Sequence, residues 1–133
     1  MLIPQVSADN PTCFNTCFGI NSTIYNSAIT SFCSANAGAK LSQYSSSGYD
    51  FSIGMPYNYA PQPGTDEEGL VWLQATAVKD YTCPDGMVLE YNTCIYNMNV
   101  PVEKCNVGEV GKQGGHWTVP CLAFTLQPNS KGC

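Results

Sequence analysis

The stretch Gly114-Gly115-His116-Trp117 holds the chain's only histidine and one of its two tryptophans. The glycine pair frees the backbone to take positive φ just before these side chains. Two kinds of chemistry fit them. Any mechanism that depends on histidine has to use His116. Sugar recognition also fits, because aromatic faces pack on C–H surfaces while neutral polar groups hold the hydroxyls. Tyr57-Asn58-Tyr59 has that second chemistry, within a segment rich in proline and glycine. The expected ligand-binding residues are therefore Tyr57, Asn58, Tyr59, His116 and Trp117. Trp117 has a competing structural role as part of a stapled closing strand. Trp72, inside an apolar run, is expected in the core.

Catalytic constellations are thin. No GxSxG elbow is present for a serine hydrolase. Arginine is absent altogether, which removes the cation that many small ribonucleases place on transition-state charge. An even count of eight cysteines leaves no obvious free thiol nucleophile. Ten acids keep a two-carboxylate glycosidase arithmetically open. The expectation is a non-enzyme without a cofactor. Asp66-Glu67-Glu68 lacks calcium-loop spacing and reads as a solvated acidic run, so no metal site is expected.

Composition bounds the rest. At 133 residues the chain fits one domain, residues 1–133. Charged residues make up only 11% against an ordinary ~25%, so solubility falls to Ser, Thr, Asn, Gln and Tyr. The net charge is −5, and Lys40, Lys79, Lys104, Lys112 and Lys131 are scattered along the chain. Nucleic-acid binding needs clustered cations and is not expected. No apolar run approaches the roughly 20 residues that span a bilayer, so no membrane insertion is expected.

The cysteines stand at Cys13, Cys17, Cys33, Cys83, Cys94, Cys105, Cys121 and Cys133. That density suits an oxidising compartment, and with no CxxC pair and one histidine a zinc reading is weak. All eight are expected in disulfides. The opening "MLIPQVSADNPTC" has neither a basic start nor a long apolar stretch, and the chain reads as a mature secreted one. Asn21-Ser22-Thr23 is an N-glycosylation sequon, with Asn21 as acceptor.

The positioning elements follow from periodicity. "INSTIYNSAITSFCSANAG" places Ile20, Ile24, Ala28 and Phe32 four apart, which predicts a helix capped by Asn21 or Ser22 and ended by Gly38. Cys33 lies on its apolar stripe and is expected to tie the helix to a sheet. "YSSSGYDFSIGM" predicts a short strand, and residues 56–69 a long loop. "LVWLQATAVKDYTCPDGMVLEYNTCIYNMNV" predicts a long hairpin about Pro84-Asp85-Gly86, with Val71, Leu73, Ala75 and Ala77 on one face and Leu70, Trp72, Gln74, Thr76 and Val78 on the other. In such a ribbon Cys83 and Cys94 are too far apart to pair. "VPVEKCNVGEVGKQGG" predicts a second helix with Pro101 in its first turn, and "HWTVPCLAFTLQ" an extended closing segment that is an edge strand or bulged at Pro120.

The tail "GGHWTVPCLAFTLQPNSKGC" resembles the fungal (mushroom) glycan-binding proteins typified by an ink-cap mushroom antiviral lectin. The resemblance rests on Gly114-Gly115, Trp117, Pro128-Asn129 and Gly132-Cys133, with Cys105 through Gly115 standing for a cysteine-bearing helix. Cys17-Phe18-Gly19 ahead of the first predicted helix is similar as well. The resemblance implies an α/β (α+β) disulfide-stapled sandwich, an antiparallel sheet with one or two covering helices, and a secreted lectin-like or defence function on cell-surface glycans. It implies no particular binding residue. The alternative expectation is a secreted toxin or effector that binds a host or competitor protein; a small hydrolase comes behind both.

Overall fold

The structure, a computed structural model, describes residues 10–15, 19–43, 49–58, 70–78, 83–84, 86–109 and 111–128. In chain order the elements are β1 (Thr12–Cys13), β2 (Ile20–Asn21), α1 (Ser22–Asn36), β3 (Lys40–Leu41), β4 (Ser52–Asn58) and β5 (Leu70–Ala77), then β6 (Met87–Val88), α2 (Tyr91–Lys104), β7 (Gly111–Lys112), β8 (Gly115–Val119) and β9 (Leu122–Pro128). The fold is α+β: a five-stranded antiparallel sheet in the order β1-β8-β9-β5-β4, two small two-stranded pairings, and two helices on one sheet face.

The first helix forms as its sequence dictates. Asn21 caps it by accepting the Thr23 amide at 2.7 Å. Tyr25, Ala28, Ile29, Phe32 and Cys33 recur at steps of three and four and are buried. Cys33 bonds Cys94 on α2, with Cα atoms 5.7 Å apart, so the bridge joins helix to helix rather than helix to sheet.

The long hairpin of residues 70–100 does not form. Its first arm is strand β5, paired with β4 on one side and β9 on the other. Gly86 does turn the chain, at φ +75°, but into the short β6, which pairs with β3. The second arm is helix α2. Cys94, Met98 and Val102 are buried at steps of four, so the helical period outweighs a turn motif that serves a different pairing. Asn97 and Asn99 donate their side-chain amides to the carbonyls of Thr93 and Ile95, one turn back. The helix predicted from Pro101 is corrected by the same observation. Pro101 lies near the end of α2, where its missing N–H weakens the final turns, and the Cys105 amide closes the helix on the Pro101 carbonyl. Cys83 and Cys94 are indeed not partners: Cys83 bonds Cys121, and the third described bridge is Cys13–Cys105.

Residues 56–58, predicted as loop, finish β4, and 59–69 lie outside the described residues. The closing segment is two strands instead of one, with Val119 opposite Leu122 across a Pro120-Cys121 turn. Proline sets the first turn position and Cys121 takes φ 74° at the second, the type II arrangement. The glycines at the start of β8, Gly114 just before it and Gly115 its first residue, are sterically required. Gly114 has φ +78° and a Cβ there would collide with the Leu126 carbonyl, while one on Gly115 would come within 2.6 Å of the Thr12 carbonyl oxygen.

Among the described residues no cysteine is free and no helix is long and apolar enough to cross a membrane; Cys17 and Cys133 lie outside them. Cys33 and Cys94 are both fully buried between the helices. Replacing both with alanine is expected to lower unfolding free energy by about 2–5 kcal/mol, read by chemical denaturation, with the untreated wild type titrating no thiol. A loss under about 0.5 kcal/mol would show that helix packing does not depend on this bridge.

Candidate functional site: the open face of the sheet

Strand β5 alternates strictly between half-buried and buried residues. Val71, Leu73, Ala75 and Ala77 meet the core, joined across the sheet by Leu126, Phe124 and Leu122. Leu70, Trp72, Gln74 and Thr76 therefore point the other way, because strand side chains alternate. Both helices pack on the core side: α1 through Phe32 and Asn36 against Tyr57 and Met55, and α2 through Asn97 against Trp117. Among the described residues no helix covers the opposite face.

Register defines what that face carries. Thr12, His116, Thr125, Gln74 and Gly54 form one row across all five strands. Gln127, Trp72 and Pro56 form the next row, and Thr118, Ala123, Thr76 and Ser52 another. None of these positions is Asp, Glu or Lys. Trp72 lies over Gly54: a Cβ at that glycine would collide with the six-membered ring of the indole. The indole N–H donates to Gln74 Oε1 at 3.1 Å, and the Gln74 amide donates to Thr76 Oγ1 at 3.2 Å. His116 Nδ1 is 2.8 Å from Thr125 Oγ1, and its Nε2 is 3.3 Å from Thr118 Oγ1. The result is a half-buried aromatic plate beside a neutral row of amides, hydroxyls and one imidazole.

The predicted site residues divide. His116 is on the open face. Trp117, one residue on, points into the core side, where it packs against the hydrophobic cluster. Its N–H donates to the buried Asn97 Oδ1 at 3.0 Å, and Lys104 Nζ lies 5.8 Å from its ring centroid. Tyr57 and Asn58 end the edge strand β4, while Tyr59 lies outside the described residues. Two strands separate β4 from β8, roughly 14 Å at ordinary strand spacing, so the Tyr57-Asn58 and His116-Trp117 pairs do not converge. The two tryptophans exchange roles relative to expectation. Trp72 shares its face with Gln74 and Thr76, and its hydrogen bond keeps it among them; the core begins with its neighbours Val71 and Leu73. The alternation in "LVWLQATA" carried this signal, and the apolar run masked it.

Around His116 the described partners are hydroxyls on both ring nitrogens. A general base is ordinarily oriented by a carboxylate, and the outward positions of the sheet hold none. The arrangement can donate and accept several neutral hydrogen bonds beside a π face, which is recognition chemistry. Among the described residues no three His, Cys, Asp or Glu side chains converge, and the acidic run 66–68 lies outside them. Comparison with protein-family models, with curated proteins and with solved structures finds no match to this chain.

Opposite placement gives the tryptophans opposite costs. Trp117→Ala is expected to lose about 3 kcal/mol of stability through lost packing and an orphaned Asn97. Trp72→Ala is expected to lose about 1 kcal/mol or less, since its ring faces outward. Urea unfolding of the two variants checks the order, and equal losses would place both rings in the core.

Proposed function

We propose that the chain is a secreted, non-catalytic glycan-binding protein of the fungal lectin type, serving defence, with its glycan platform on the open sheet face. The observation that carries the reading is the Trp72 indole lying over Gly54, beside the row of Gln74, Thr125 and His116. A sugar ring offers an apolar C–H face and a periphery of neutral hydroxyls. The plate takes the first and the polar row takes the second. A neutral surface also suits a neutral ligand, which gains nothing from a charged one and would leave its ions desolvated. Three disulfides in the described residues fit an extracellular setting, and the resemblance of the tail to the mushroom lectins points the same way. Cell-surface glycans are the proposed partners.

A glycan array probed with the wild type and with Trp72→Ala tests the reading. The wild type is expected to bind at least one sugar class, and the variant to lose about 10–100-fold in affinity, as for a central aromatic anchor, with an unchanged fold. Absence of binding to every class, with cell-surface binding that free sugars fail to compete, would overturn the proposal in favour of a toxin or effector acting on a protein.

A further inference from the structure

A cleft of about 220 Å³ lies on the helix side of the molecule, between α1 and the end of β4. One wall carries Thr23, Ser27 and Ser31, four residues apart and so aligned along a single helix face. Tyr57 and Asn58 form the other wall. Ile24, Ala28 and Val71 supply the apolar remainder of the lining, and among the described residues no lining side chain is charged. This is the place in the fold where the Tyr57 side chain falls, on the sheet face opposite the Trp72 platform, while Asn58, paired with Leu70, touches the cleft only as the next residue of the strand.

Its chemistry is selective. Drug-sized ligands occupy roughly 300–1,000 Å³, so this smaller space suits a single ring. An ionic ligand would find no countercharge among the described lining residues, and a wholly apolar one would strip water from the hydroxyls of Thr23, Ser27, Ser31 and Tyr57 without replacing their hydrogen bonds. A pyranose satisfies both halves of the lining, with C–H groups on the apolar part and hydroxyls toward the rim. Tyr57 is held for the task by edge-on packing against Phe32, ring centroids 6.4 Å apart. Its hydroxyl donates to Met55 Sδ at 3.5 Å, a weak acceptor that a sugar oxygen can displace. Burial raises the Tyr57 pKa, which keeps the phenol protonated as a donor.

We propose that this cleft is a second binding pocket, for one neutral pyranose ring, separate from the platform on the opposite face. The inference rests on the glycan-binding reading and adds a consequence to it. One domain then carries two sugar sites facing apart, so a monomer can bridge two glycan chains and gain avidity without forming an oligomer.

The test is an NMR titration with free N-acetylglucosamine, galactose, mannose and fucose, following the amides of Ser27, Ser31 and Asn58 separately from those of Trp72 and Gln74. Saturable shifts are expected in the cleft set for at least one sugar. They should persist in Trp72→Ala and weaken about tenfold or more in Ser27→Phe, which fills the cleft from an exposed helix position. Ser31→Phe, the same change one helical turn on and also at an exposed position, should weaken the same set if Ser27→Phe proves unfolded. Shifts confined to the platform set would overturn the second pocket and leave the glycan reading standing. Shifts in neither set would remove both, and cleft shifts that survive both Ser27→Phe and Ser31→Phe would show that the sugar sits elsewhere.

Discussion

The two-residue period of β5 governs this molecule. The strand runs between β4 and β9, so it has no free edge, and its side chains have only two directions available. Val71, Leu73, Ala75 and Ala77 are at most 3% exposed. Sliding the register by one would send Trp72, Gln74 and Thr76 into the core and strand their polar groups there. The burial of four alternate residues therefore fixes the other four on the open side. Core formation and display of the candidate platform are one event, decided by the same eight residues.

The disulfides hold what covers the core. A chain with so few charges and so many glycines, prolines and loops gains little from ion pairs, and cross-links reduce the entropy of its unfolded state instead. Cys33–Cys94 clamps the two helices over the sheet. Cys13–Cys105 fastens the edge strand β1 to the end of α2, and there the glycines before β8 let the backbones approach. Cys83–Cys121 anchors the β8–β9 turn, whose second residue would otherwise have little reason to keep a positive φ. Each bridge thus reinforces a junction between elements, and the strands between them stay regular enough to present side chains in rows.

The parts of this fold that were legible in the sequence were those where the local signals agreed. Helix α1 had a cap, a stripe and a glycine exit in agreement. The antiparallel sheet with covering helices was expected from the resemblance of the tail, and the strand-like alternation of β5 and the stripe of α1 are consistent with it. Helix α2 was hidden by conflict between levels: Pro101, several asparagines and a strong turn tripeptide argued against it, while Cys94, Met98 and Val102 argued for it. Long-range packing settled the matter, with Asn97 and Asn99 turned back onto the Thr93 and Ile95 carbonyls one turn earlier so that a polar sequence could still be helical. The candidate site was harder to read for a different reason. Tyr57, Asn58, His116 and Trp117 were chosen by residue type, and type does not say which face a residue occupies. Trp72 was read as core because its neighbours are apolar, although in a strand the neighbours are the residues that point the opposite way. Gly54, paired with Gln74 beneath the ring, has no local signal at all, since its meaning depends on a partner strand.

Composition ties these threads together. Serine, threonine, asparagine and glutamine keep this weakly charged chain in solution, and they are also the groups that recognise neutral ligands. Such surfaces bind weakly unless their side chains are already held in place, because each side chain ordered on binding costs about 0.5–1.5 kcal/mol. Here the ordering is done beforehand. Gln74 is bonded on both sides, to the Trp72 indole and the Thr76 hydroxyl; His116 is flanked by two threonines; Tyr57 leans on Phe32. These contacts lie along strands that the core and the bridges make rigid. A neutral face that would be merely solvated on a looser scaffold is, on this one, a preorganised surface, which is what the proposed glycan platform requires if a ligand is to bind with little further loss of freedom.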